Sequence, residues 1–163
     1  MIIMLMGVSG SGKSTIGERL AAELGWPFLE GDRFHPPENI AKMARGEPLT
    51  DADREPWLAS LRAAIARLVA ENTDAVLACS ALRRSYRETL TRGHEHAVAI
   101  VHLRADHDTV LHRMQGRQHY MKPAMLKSQL RTLEPPGEDE ATIVDVTQPP
   151  DTTVAEIRRR LRV

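Results

Sequence analysis

Cysteine is almost missing from this chain. Cys79 is the only one in 163 residues, so no intrachain disulfide can form and a reducing compartment is expected. Charge of one sign is missing as well. Lys+Arg and Asp+Glu both number 22, which leaves no basic field of the kind that binds nucleic acid. Aromatic residues are sparse, with two Trp, two Tyr and two Phe, and they form no platform for stacking unpaired bases. No run approaches the roughly 18 apolar residues of a membrane span. The apolar stretch from Met1 to Met6 lacks a basic leader and a cleavage site, so it reads as a core strand rather than a signal peptide. These absences lead to the expectation of a cytoplasmic protein with neither nucleic acid nor membrane as partner. Lysine is also scarce, being confined to Lys13, Lys42, Lys122 and Lys127. The remaining positive charge is arginine, which recognises phosphate and carboxylate through planar, bidentate contacts. A small anionic substrate is one reading of that bias; a genome that prefers arginine codons is the other.

What is present begins at the first strand. Gly7-Val8-Ser9-Gly10-Ser11-Gly12-Lys13-Ser14, followed by Thr15, has the spacing of a phosphate-binding loop, G-x-x-x-x-G-K-[ST]. The three glycines let the backbone take positive φ and curl around an anion. Converging N–H groups and the N-terminus of the next helix supply the positive end. In such a loop Lys13 reaches the β- and γ-phosphates, and the Ser14 hydroxyl suits Mg²⁺. The context agrees: Ile2 to Met6 precede it as an apolar run, and Ile16, Leu20 and Leu24 follow at helical spacing until Gly25 and Pro27. The loop implies ATP or a related triphosphate and leaves the acceptor open.

The rest of the chain alternates. Apolar strands are predicted at Pro27 to Glu30, Ala75 to Cys79, Val98 to Leu103 and Thr142 to Val146. Helices are predicted from Pro36 (with Ile40 and Met43 as the apolar face), from Thr50 or Asp51, over Arg83 to Arg92, from Asp106 or Asp108, over Ala124 to Leu133, and over Thr153 to Leu161. At 42% hydrophobic and 27% charged residues, this is an ordinary globular composition for one domain. The expected fold class is α/β: a P-loop NTPase-type parallel sheet of about five strands, helices on both faces and a lid segment. Ligands in such sheets bind beyond the carboxyl ends of the strands. That singles out Asp32 and His35 after the second strand, Ser80 and Arg83 after the third, and the stretch after Val146.

Each has a functional and a structural reading. Asp32 can orient an acceptor hydroxyl and take its proton, or cap the next turn. His35 can line the site or brace its loop. Arg83 and Arg84 can meet an acceptor's oxygens or open a solvated helix. Arg113 to Lys122, with three positive charges and a His, can be a lid over the phosphates, mobile around residues 113–125, or a plain surface loop. His102, His107 and His112 lack the spacing of a metal set.

Three stretches then carry a resemblance. Asp32-x-Phe34-His35-Pro36-x-x-Asn39-x-x-Lys42-Met43 is followed by Gly46-x-Pro48-Leu49-x-Asp51-x-Asp53-Arg54-x-x-Trp57-Leu58 and by Ala78-Cys79-Ser80-Ala81-Leu82-Arg83-x-x-Tyr86-Arg87. With His119-Tyr120-Met121, Leu126-x-Ser128-Gln129 and Leu133-Glu134-x-Pro136, they resemble the small P-loop gluconate kinases over nearly the whole chain. The resemblance implies the fold of shikimate and nucleoside-monophosphate kinases. It implies transfer of phosphate from ATP, with Mg²⁺, to D-gluconate. It implies that the phosphate loop and Arg113 hold ATP and that Arg117 in the lid meets the transferring group. It further implies that Asp32 meets the acceptor hydroxyl and that His35, Arg54, Ser80 and Arg83 line the acceptor pocket. Relatives of this type often form dimers, so a homodimer is possible. Arg83 or Arg84 stands where the family often has Lys, and Tyr120 where it often has Phe; charge and ring are kept. Two alternatives stay open: a kinase for another small hydroxy acid such as shikimate, and a nucleotide-binding regulatory module without transfer activity.

Overall fold

The computed structural model describes residues 1–115 and 123–163. Five strands are ordered along the chain as β1 (Ile2–Met6), β2 (Phe28–Glu30), β3 (Ala75–Ala78), β4 (Val98–Arg104) and β5 (Thr142–Asp145). All pairings are parallel, and the strands lie side by side as β2-β3-β1-β4-β5. A parallel sheet is covered on both faces, which is why β1 and β3 are apolar at every position and buried throughout.

The helices are α1 (Lys13–Leu24), α2 (Pro37–Ala44), α3 (Asp51–Ala70), α4 (Arg84–Thr91), α5 (His107–Gln115), α6 (Pro123–Thr132) and α7 (Pro150–Leu161). Side chains alternate across the sheet with period two. Ile2, Met4 and Met6, with Leu77, pack against Trp57, Leu61 and Ile65 of α3 and Tyr86 and Leu90 of α4. Ile3, Leu5, Val76, Val101 and Leu103 pack on the opposite face against Ile16 and Leu20 of α1 and Val154 and Ile157 of α7. A third cluster, Val8, Leu82, Val110 and Leu126, sits at the carboxyl end of the sheet and seats α5 and α6 there.

Several local expectations are refined by tertiary demands. Ile40 is 45% exposed, and Asn39 is buried in its place beside Met43. The Asn39 amide is needed inside, where it donates to the Asp53 carbonyl at 2.7 Å. Thr50, not Asp51, is the N-cap of α3: its hydroxyl accepts the Asp53 N–H while the Asp53 carboxylate accepts the Thr50 N–H. The segment after β2 is a 3₁₀ turn, Gly31–Phe34, rather than an open loop. The last helix begins at Pro150, before Thr153, because Pro at the first helical position has no N–H to leave unpaired.

Candidate active site

β1 is the central strand, with β3 on one side and β4 on the other. The chain therefore changes direction of travel across the sheet at β1, and the crevice at its carboxyl end is where a ligand is expected. The phosphate loop occupies that crevice. Gly7, Gly10 and Gly12 all have positive φ, at 147°, 80° and 97°, as the curled loop demands. Gly12 is the N-cap of α1 and carries no side-chain cap, so the first N–H groups of the helix remain for an anion. The Lys13 ammonium lies back on the loop, donating to the Gly7 carbonyl at 2.9 Å and the Val8 carbonyl at 3.0 Å. Burial pulls its pKa below the ordinary lysine value, while the carboxylates of Asp32 and Glu30 act in the opposite direction.

Beside the loop, the Ser14 hydroxyl donates to the Glu30 carboxylate. A hydroxyl and a carboxylate at the foot of a phosphate loop form an oxygen donor set that fits Mg²⁺, which binds through one or two protein oxygens plus phosphates and water. Ser9, Gly10, Gly12, Lys13, Ser14, Thr15, Glu30 and Asp32 line one cleft. A second cavity adjoins it, lined by Ser9, Lys13, Asp32, His35, Arg54, Trp57, Ser80, Tyr86, Ser128 and Gln129, with Met43, Leu49 and Leu82. Ser9, Lys13 and Asp32 belong to both walls.

Asp32 reaches this shared wall from the turn after β2, which passes close to the carboxyl end of β3. A Cβ on Gly31 would collide with the Ala78 carbonyl, so only glycine lets the turn pass this close. The Trp57 indole N–H then donates to the Gly31 carbonyl at 2.9 Å and holds the turn from beneath. His35 stacks on Trp57 with ring centroids 4.5 Å apart and planes 9° from parallel. The Asn39 side-chain nitrogen, already oriented by the Asp53 carbonyl, lies 3.2 Å from His35 Nδ1. Nδ1 is thereby the accepting nitrogen, which leaves Nε2 to carry the ring proton. Burial lowers the His35 pKa, Asp32 opposes that, and Arg54 adds to it; the ring is neutral at pH 7. His35 thus both braces the loop and lines the cavity.

The arginines divide. Arg54 lines the cavity, donating to the Tyr86 hydroxyl at 3.2 Å. Arg83 is absent from the lining; its guanidinium lies 3.7 Å from the Asp51 carboxylate, and its buried Nε has no partner among the described residues. Arg84 turns away to Glu88 at 3.0 Å. Arg87 is buried and structural, paired with Glu140 and donating to the carbonyls of Ala81, Leu82 and Glu134. Arg113 lies against the phosphate loop, donating to the Ser11 carbonyl at 3.4 Å and to the Val146 carbonyl. Arg117 and most of the expected lid, residues 116–122, lie outside the described residues. Cys79, beneath the site, is buried, and its thiol is pushed up to about 12, which removes thiolate chemistry.

Four participants escape the reading from sequence. Tyr86, Asp51 and Gln129 stand inside the motifs already noted but give no sign of their partners. Glu30 ends β2, and that position at the carboxyl edge was the one available signal.

Among the described residues no group of three or more His, Cys, Asp or Glu is placed to hold a metal, and no helix is long and apolar enough to cross a membrane. Residues 2–136 match a family model described as AAA domain. The sequence is 46% identical over 162 residues to the gluconokinase of Gluconobacter oxydans (strain 621H), covering 98% of this chain and 90% of that one. The structure matches a gluconokinase from Sinorhizobium meliloti 1021 with a TM-score of 0.82 at 44% identity, covering 98% and 94% of the two chains. A shikimate kinase from Bacteroides thetaiotaomicron matches with a TM-score of 0.71 at 21% identity, covering 100% and 99%, which is a likeness of fold. A phosphate loop at the switch point, a cavity adjoining it and full-length similarity lead to one conclusion: the chain belongs to the gluconokinase family of P-loop proteins.

Proposed function

We propose that this protein transfers the γ-phosphoryl group of ATP to the 6-hydroxyl of D-gluconate, giving ADP and 6-phospho-D-gluconate. The observation that carries the reading is the wall common to the two cavities, formed by Ser9, Lys13 and Asp32. A triphosphate on the loop and a polyol in the adjoining cavity would meet across that wall. Similarity to gluconokinases at 44% to 46% identity supports gluconate as the acceptor.

In this reading the loop from Gly7 to Thr15 holds the phosphates, and Lys13 neutralises charge on the transferring group. Asp32 orients the acceptor hydroxyl and takes its proton. Neutral His35 donates from Nε2, Ser80 offers its hydroxyl, and Arg54 meets the gluconate carboxylate. Arg83 acts at one remove, by holding Asp51. Ser14, with Glu30 beside it, would hold Mg²⁺, which when bound would supply charge neutralisation at the phosphates. Arg113 serves the nucleotide side. Arg117, expected to meet the transferring group, lies outside the described residues.

The test is an acceptor panel. Purified protein with Mg-ATP is offered gluconate, shikimate and other sugar acids, and ADP release is followed. Gluconate is expected to be preferred. Preference for shikimate or another acid would replace the acceptor, and release with none of them would leave a nucleotide-binding module.

A further inference from the structure

Gln129 stands on α6 and lines the acceptor cavity. Its side-chain oxygen accepts the Ser9 backbone N–H at 2.6 Å. An N–H can be met only by an acceptor, so this bond sets which end of the amide faces the loop. Ser9 is buried and belongs to the wall common to cleft and cavity.

Just beyond α6 the chain is tied to the acceptor side. The Glu134 N–H donates to the Leu82 carbonyl at 2.8 Å, and the Glu134 carboxylate accepts the Arg84 N–H at 2.7 Å. Beneath the loop, the Gly7 N–H donates to the Ser80 carbonyl at 3.3 Å. The phosphate loop, α6 and the turn after β3 thus form a closed circuit of hydrogen bonds, and Gln129 is the side chain that closes it.

We propose that Gln129 is a positioning residue for phosphoryl transfer, holding the phosphate loop in register with the acceptor cavity through the Ser9 amide. The inference rests on the assignment of the two cavities in the preceding section. The Ser9 N–H is committed to a side chain, so the bond governs where the loop sits more than how many donors grip the phosphates. In-line attack is sensitive to displacements of about 1 Å. Loosening the loop should therefore slow transfer while leaving nucleotide affinity nearly as it was.

Gln129→Met keeps length and volume and removes the accepting oxygen. At saturating ATP and gluconate, kcat is expected to fall about tenfold or more, as for one lost bond to a buried amide. The dissociation constant for ATP, measured on the same sample, should stay within about threefold. Gln129→Asn, which keeps the amide but shortens its reach, should show a smaller loss and serves as the deciding variant if the Met protein does not fold. A kcat within about twofold of wild type, or an ATP dissociation constant that rises as much as kcat falls, would overturn the proposal. A wild-type protein with no gluconate-dependent turnover would instead refute the assignment of the cavities. An active wild type with an unaltered Met variant refutes Gln129 alone.

Discussion

The Arg54 guanidinium donates to the Tyr86 hydroxyl at 3.2 Å and lies 5.5 Å from the centre of the same ring. The Tyr86 hydroxyl donates in turn to Asp51, whose pKa is lowered first by that bond and then by Arg83 and Arg54. A residue of α4 thus holds a cation of α3 at the wall of the cavity beside the phosphate loop. Arg54→Ala should raise KM for gluconate about 10- to 100-fold, the loss of a charge-assisted bond of roughly 1.5–3 kcal/mol. Tyr86→Phe keeps the ring and removes the hydroxyl, so a rise of about three- to tenfold is expected. KM for ATP should hardly move in either variant. Steady-state kinetics decides; a loss on the ATP side would assign Arg54 to the nucleotide.

Asp32→Asn keeps size and removes the basic oxygen. A kcat loss of roughly 10²- to 10⁴-fold is expected, the range for a positioned acid–base group, with ATP affinity little changed. Were Asp32 only a turn cap, Asn would serve about as well and turnover would be near normal. Kinetics and ATP binding on one sample separate the two roles.

Lys13→Ala should abolish turnover while the protein stays folded, since the ammonium leans on carbonyls of its own loop and not on the core. Circular dichroism alongside the ADP assay checks both halves. Undiminished turnover would remove the loop from the triphosphate site.

Arg87 is 1% exposed, bonded to Glu140 at 2.5 and 3.1 Å and to three carbonyls. Arg87→Met leaves those partners unpaired. Urea unfolding should show a loss of about 3 kcal/mol, the lower end for a broken buried pair because Glu140 keeps some contact with solvent. A cost under about 1 kcal/mol would mean that water replaces the guanidinium.

His102 is buried on β4, and its Nδ1 has no partner among the described residues. Burial first, then Arg87 and Arg104, hold its pKa down to about 4. The folded value lies below the unfolded value of about 6.5, so the unfolded chain takes the proton first as pH falls. His102 therefore costs nothing above about pH 6.5 and subtracts stability progressively down to about pH 4. The urea midpoint of His102→Gln should fall less steeply than wild type over that range. His35, lowered by the same cause, will leave a residual slope. Parallel curves would show that His102 does not drive acid sensitivity.

The phosphate loop was legible in the sequence because its chemistry is local. Three glycines, a lysine and a serine at set spacing specify a backbone shape and its charge without reference to the rest of the chain. The parallel sheet was legible for a related reason: strands buried on both faces must be apolar throughout, as Ile2 to Met6 and Ala75 to Ala78 are. Placement at strand ends was enough to select Asp32, His35 and Ser80, all of which line the cavity beside the phosphate loop.

What the tertiary structure decided is how side chains distant in sequence divide the work. Arg54, Arg83 and Arg87 look alike in sequence. One lines the cavity, one holds Asp51 beside it, and one is sealed into the core by Glu140. Trp57 reads as one more apolar residue of α3, yet it carries His35 on its face and the Gly31 carbonyl on its indole nitrogen. Gln129 reads as a polar helical residue, 120 positions from the loop amide it holds. A sequence records which donors and acceptors exist; which of them meet depends on how the helices pack, and that packing is fixed by the whole apolar core at once.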